Sequence, residues 1–136
     1  LRQRSRPYLV SNSVAPAVVA GSLKALELVS TSSQARETLQ RNASLFRALM
    51  SEAGFDLLPG SHPIIPVMFP GEGGARTAAA VADHMLVDSG VYVIAFSFPV
   101  VPKGRARIRV QLSAAHSEDD VRQCVDAFVS ARAVVA

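Results

Sequence analysis

Arg105-Ala106-Arg107-Ile108-Arg109-Val110-Gln111-Leu112-Ser113 alternates without a break. Arg105, Arg107, Arg109, Gln111 and Ser113 share one face, and Ala106, Ile108, Val110 and Leu112 share the other. A period of two predicts a half-buried strand with its apolar face on a core. Just beyond it, Ser117 precedes Glu118, Asp119 and Asp120. A hydroxyl followed by carboxylates suits a helix N-terminus, whose free N–H groups and positive dipole end both favour oxygen and negative charge. Val121, Cys124, Val125 and Phe128 then recur at helical spacing and give that helix a buried stripe.

Working upstream, Val91-Tyr92-Val93-Ile94-Ala95 reads as a buried-type strand. The segment from Phe96 to Gly104 holds two prolines and reads as an ordered, irregular loop. Thr77 to Leu86 is Ala-rich and helical, closed by Gly90. His62-Pro63-Ile64-Ile65-Pro66-Val67-Met68 is a short apolar strand with prolines at its start and middle, and it belongs at a sheet edge, because Pro66 cannot donate to a ladder. Leu39, Phe46, Leu49 and Met50 mark one helix face, ended by Gly54. Before it, Pro16 suits the first turn of a helix striped by Val19, Leu23, Leu26 and Ser30. Tyr8 to Ser13 reads as a short polar strand or loop. The order is α-α-β-α-β-β-α, an α+β fold: a small, mainly antiparallel sheet with helices on one face.

The 136 residues suffice for one domain with a real core. With 49% hydrophobic and 18% charged residues, the composition excludes a disordered charged tail. The lone Cys124 excludes an internal disulfide framework and any multi-cysteine zinc site, and points to a reducing compartment. No apolar run is long enough to span a bilayer, and Leu1 to Pro7 is basic without the form of a signal peptide. The formal net charge of +3 comes from twelve arginines against only Lys24 and Lys103. Arginine suits planar capture of carboxylate or phosphate.

The Arg105, Arg107, Arg109 row reads either as a solvated face or as an anion site beside an irregular loop. Ser11-Asn12-Ser13 could meet a phosphate or simply cap a helix. Gly71-Glu72-Gly73-Gly74 lacks the lysine and hydroxyl of a phosphate loop. His62, His84 and His116 share no metal-ligand spacing, so no metal is expected. Cys124 on an apolar stripe reads as an inert thiol. From these residues alone the chain is an α+β domain with an anion-binding face.

Arg4 to Ser13, Ser61 to Met68, and above all Ser97-Phe98-Pro99-Val100-Val101-Pro102-Lys103-Gly104 running into Arg109 resemble the α-oxoamine synthases, and among them the glycine C-acetyltransferases. These are pyridoxal-phosphate enzymes of fold type I, and the chain resembles their C-terminal third. The resemblance implies residues 1–14 as the tail of the large cofactor domain, 15–52 as an interdomain helical segment and 53–136 as the C-terminal small domain. It implies a homodimer that condenses glycine with acetyl-CoA to 2-amino-3-oxobutyrate and CoA, with active sites at the subunit interface.

By the same resemblance Arg109 holds the amino acid carboxylate, and Ser97 opens a loop at the site mouth. Ser11, Asn12 and Ser13 reach the pyridoxal phosphate of the partner subunit. The lysine that binds the cofactor belongs upstream of this chain, so no catalytic residue is assigned within it. The expected location is the cytoplasm, or the mitochondrion in a eukaryote, with no membrane or nucleic acid partner. A close alternative is 8-amino-7-oxononanoate synthase or another α-oxoamine synthase. An alternative of another class is a stand-alone regulatory module or one that binds nucleic acid through the arginine row, against which the scarcity of accompanying aromatics counts. If the segment stands alone, its apolar faces imply weak stability or self-association.

Overall fold

The computed structural model describes residues 3–9 and 13–135. The chain divides into two compact units, Leu1–Gln34 and Ala35–Ala136.

The first unit holds α1 (Arg6–Leu9) and α2 (Pro16–Thr31). A short helix therefore stands where a polar strand or loop was expected to begin, and Pro7 lies in its only turn, where a missing N–H costs nothing. In α2, Pro16 occupies the first turn as expected. Val18, Val19, Leu23, Leu26, Leu28 and Val29 are all exposed, and no α2 residue is buried.

The second unit runs α3 (Gln34–Glu52), β1 (Ile64–Pro70), α4 (Gly74–Ser89), β2 (Ile94–Phe96), β3 (Arg105–Gln111) and α5 (Glu118–Val135). The strands form one antiparallel sheet in the order β1-β3-β2. The alternation of β3 is realised: Ala106, Ile108 and Val110 are buried, while Arg105, Arg109 and Gln111 are exposed. Pro66 lies on an edge strand, as its missing N–H requires. The outer edge of β1 is covered in part by backbone, with Leu58 N–H donating to the Pro66 carbonyl (3.1 Å) and Met68 N–H to that of Asp56 (2.8 Å).

Strand β2 is shorter than the 91–95 pattern suggested and begins only at Ile94. The left-handed turn at Gly90 (φ 66°) folds the chain back, so that Val91 N–H donates to Met85 and closes α4 instead of joining the sheet. The apolar pattern there is still used, because Val91 and Val93 pack against the core from the loop.

Helix α3 packs into the core of the second unit. Its Ala43, Phe46 and Met50 are buried in the same core as Ile65 and Val67 of β1, Ile108 of β3 and Phe128 of α5. The apolar stripe read in the sequence thus closes on the sheet, and the break falls at 34/35, beside the polar Thr31-Ser32-Ser33 segment. The core is centred on Phe128, which meets Phe46 edge-on at 6.4 Å and Phe55 at 5.6 Å between ring centroids. Across the core, Arg132 lies 4.0 Å over the Phe55 ring and donates to the carbonyls of Ala53 and Gly54 at the end of α3.

Helix α4 starts hard against β1. A Cβ on Gly74 would stand 1.9 Å from the Phe69 carbonyl oxygen, whereas one on Gly73 would meet nothing within 4 Å. Gly74→Ala is therefore expected to cost about 1–3 kcal/mol through a forced backbone shift. Gly73→Ala should stay within about 0.5 kcal/mol, as for an unobstructed surface change. Urea unfolding of the two variants side by side checks the contrast, and equal stability would contradict this packing of α4.

Candidate functional site

The strand period places Arg105, Arg107 and Arg109 together on the open face of β3. Their neighbours across the sheet leave that charge unbalanced. On β1 they face Pro70, Met68 and Pro66; on β2, Phe96 faces Arg107 and Ile94 faces Arg109. Arg107 curls back, its Nε donating to the Arg105 carbonyl at 3.3 Å. Arg109 does otherwise. Its guanidinium carbon lies 4.6 Å from the centroid of the Phe96 ring, on the diagonal across the two strands. Among the described residues its guanidinium has no hydrogen-bond or ion-pair partner. A planar cation with its N–H groups unengaged is a ready donor site for the two oxygens of a carboxylate.

Arg109 also lines an open cavity of about 610 Å³ with the 90–94 segment, the end of β3, His116 and the first turns of α5. The turn between β3 and α5 is held from two sides. Asn42 is buried on the apolar face of α3 and donates to the carbonyls of Ser113 (3.3 Å) and His116 (2.8 Å). His116 Nδ1 accepts the Ser113 N–H at 3.2 Å. His116 thus closes a turn, a role its place in the sequence did not reveal. Asn42 was missed altogether, although an amide set between Leu39 and Phe46 on an apolar stripe was its signal.

The helix start predicted at Ser117 is present as a reciprocal cap. Ser117 N–H and Oγ–H donate to Asp120 Oδ2 (2.7 and 2.8 Å), and Asp120 N–H donates to Ser117 Oγ (3.1 Å). These bonds, first that of the backbone N–H and then that of the hydroxyl, hold the Asp120 carboxyl below the usual carboxylate range. The pair caps a helix and is not an acid/base couple.

Of the other candidates, Ser97 is exposed just after β2, and its carbonyl accepts from Val100 (2.9 Å) and Val101 (3.2 Å), starting the turn of the proline-rich loop. In that loop Lys103 Nζ sits 5.1 Å over the Phe98 ring. Ser13 is described and exposed, whereas Ser11 and Asn12 lie outside the described residues. His84 pairs with Asp88 at 2.8 Å one turn away. No group of three His, Cys, Asp or Glu among the described residues could hold a metal. Burial pushes the Cys124 thiol up to about 12, which leaves it protonated at neutral pH. No described helix is long and apolar enough to cross a membrane.

Comparison with known proteins bears on what such a face is for. The family model for aminotransferase class I and II matches residues 1–128. The human mitochondrial 2-amino-3-ketobutyrate coenzyme A ligase is 54% identical over 129 residues, 95% of this chain and 30% of its own length. An 8-amino-7-oxononanoate synthase of Fervidobacterium nodosum is 37% identical over 128 residues, 94% of this chain and 31% of its own. A solved serine palmitoyltransferase from S. paucimobilis with a bound PLP–myriocin aldimine matches at TM-score 0.80 and 27% identity, over 98% of this chain and 33% of that one. The chain thus spans about 30% of the length of the curated relatives it matches.

Proposed function

Because the chain belongs to the aminotransferase class I and II family, we propose that it is the carboxylate-binding part of a pyridoxal-phosphate-dependent acyltransferase. The reaction is the condensation of glycine with acetyl-CoA to 2-amino-3-oxobutyrate and CoA, in a homodimer. The observation that carries this reading is the 54% identity to a 2-amino-3-ketobutyrate coenzyme A ligase over 95% of the chain. The lower 37% identity to an 8-amino-7-oxononanoate synthase favours the acetyl over the longer acyl donor.

The described residues do not by themselves fit the cofactor. Lys24 is engaged with Glu27 at 2.7 Å on an exposed helix face, and Lys103 is spread over Phe98. On this reading the lysine that holds pyridoxal phosphate lies outside residues 1–136, and residues 11–13 approach its phosphate from the partner subunit.

What this chain's own residues do is bind and orient. The Arg109 fork takes both oxygens of the glycine carboxylate, which fixes the direction of the α-carbon. Arg105 and Arg107, which precede Arg109 on the same strand face, raise the positive potential and favour an anionic substrate. By the family resemblance Ser97 and its loop border the mouth of the site, although Ser97 is not among the residues that line the Arg109 cavity.

The reading is tested by CoA release in the complete enzyme carrying this segment. Release should require glycine and run at least tenfold faster with acetyl-CoA than with a pimeloyl thioester, a margin of about 1.4 kcal/mol. Preference for the pimeloyl donor would transfer the assignment to the other synthase.

A further inference from the structure

We propose that Phe96 is a positioning residue for the amino acid carboxylate, acting through Arg109. The inference rests on the reading of Arg109 as the carboxylate holder and deepens it. An arginine side chain has four rotatable bonds, and holding its fork in one place costs roughly 2 kcal/mol of rotamer freedom. The usual restraint is a carboxylate partner, but that would neutralise the charge and occupy the fork. The Phe96 ring avoids both costs. It holds the guanidinium at 4.6 Å through its π face and offers no acceptor to the N–H edge. The other cross-strand neighbours of Arg109, Ile94 and Pro66, are apolar as well and leave the fork uncontested. Phe96 is itself half-buried and fixed in the β2–β3 ladder opposite Arg107, so the ring is a firm platform.

The test is a double-mutant cycle in the complete enzyme, with glycine varied at saturating acetyl-CoA and pyridoxal phosphate. Phe96→Leu should raise the KM for glycine about threefold to tenfold, the value of one exposed to partly desolvated cation–π contact. The KM for acetyl-CoA should not move. Phe96→Tyr, which keeps the π face, should restore most of the loss. In an Arg109→Ala background Phe96→Leu should add nothing, because the group it positions is gone. An equal effect of Phe96→Leu in both backgrounds would mean a general packing role and would overturn the proposal, as would a normal glycine KM in Phe96→Leu. Those results leave the carboxylate reading intact provided that Arg109→Ala alone raises the glycine KM. An unaltered KM in Arg109→Ala would overturn that reading itself, and this inference with it.

Discussion

Arg109→Ala in the complete enzyme is expected to raise the KM for glycine on the order of a hundredfold to ten-thousandfold. Two charge-assisted hydrogen bonds are lost together, at about 1.5–3 kcal/mol each, and every 1.4 kcal/mol is about tenfold. The folded state should barely notice. Arg109 is exposed, and among the described residues only the Phe96 ring engages its guanidinium. Arg109→Lys should fall between the two, since it keeps the charge and loses the fork. Steady-state kinetics against glycine, with the unfolding midpoint measured in parallel, separates binding from stability. A glycine KM close to that of the parent enzyme would remove the carboxylate role.

The second large effect is on stability. Phe128→Ala should cost about 3–5 kcal/mol, the range for deleting a fully buried aromatic. Phe128 has no exposed surface, and its ring meets both Phe46 of α3 and Phe55 beyond it. Edge-to-face pairs of this kind contribute about 0.5–1.5 kcal/mol each beyond their area. The loss is a large share of the roughly 5–15 kcal/mol that holds a domain together. Phe128→Leu should recover much of it by filling most of the space. The check is the shift of the urea midpoint at fixed protein concentration. A shift worth less than about 1 kcal/mol, typical of a surface site, would mean that α3 and α5 do not share this core.

Much of the fold was legible because it is local. The alternation from Arg105 to Gln111 needs only the pleat of a strand, and the Ser117–Asp120 cap needs only four consecutive residues. Pro66 marked an edge because a missing N–H has the same consequence in any sheet. The strand expected at 91–95 is shortened by a turn that is itself local. The 91–95 run has strand chemistry, but the Gly90 turn ties Val91 back to Met85 and leaves three residues for the sheet. The α3 stripe was correctly apolar, yet periodicity does not say which core it enters.

For the candidate site the division is sharper. Residue order alone shows that three arginines share one strand face, that Cys124 sits on an apolar helix stripe, and that no histidine pair has metal-ligand spacing. Those properties follow from residue type and from spacings of a few residues. Folding alone places β3 between β1 and β2 and sets the register that brings Phe96 beside Arg109. Folding also lets Asn42 tie α3 to the turn beside the cavity, seventy-one positions away at Ser113. The physical reason is that strand pairing and burial are made between segments far apart in the chain. A local pattern can show that a side chain faces outward, but the neighbour that orients it comes from the register.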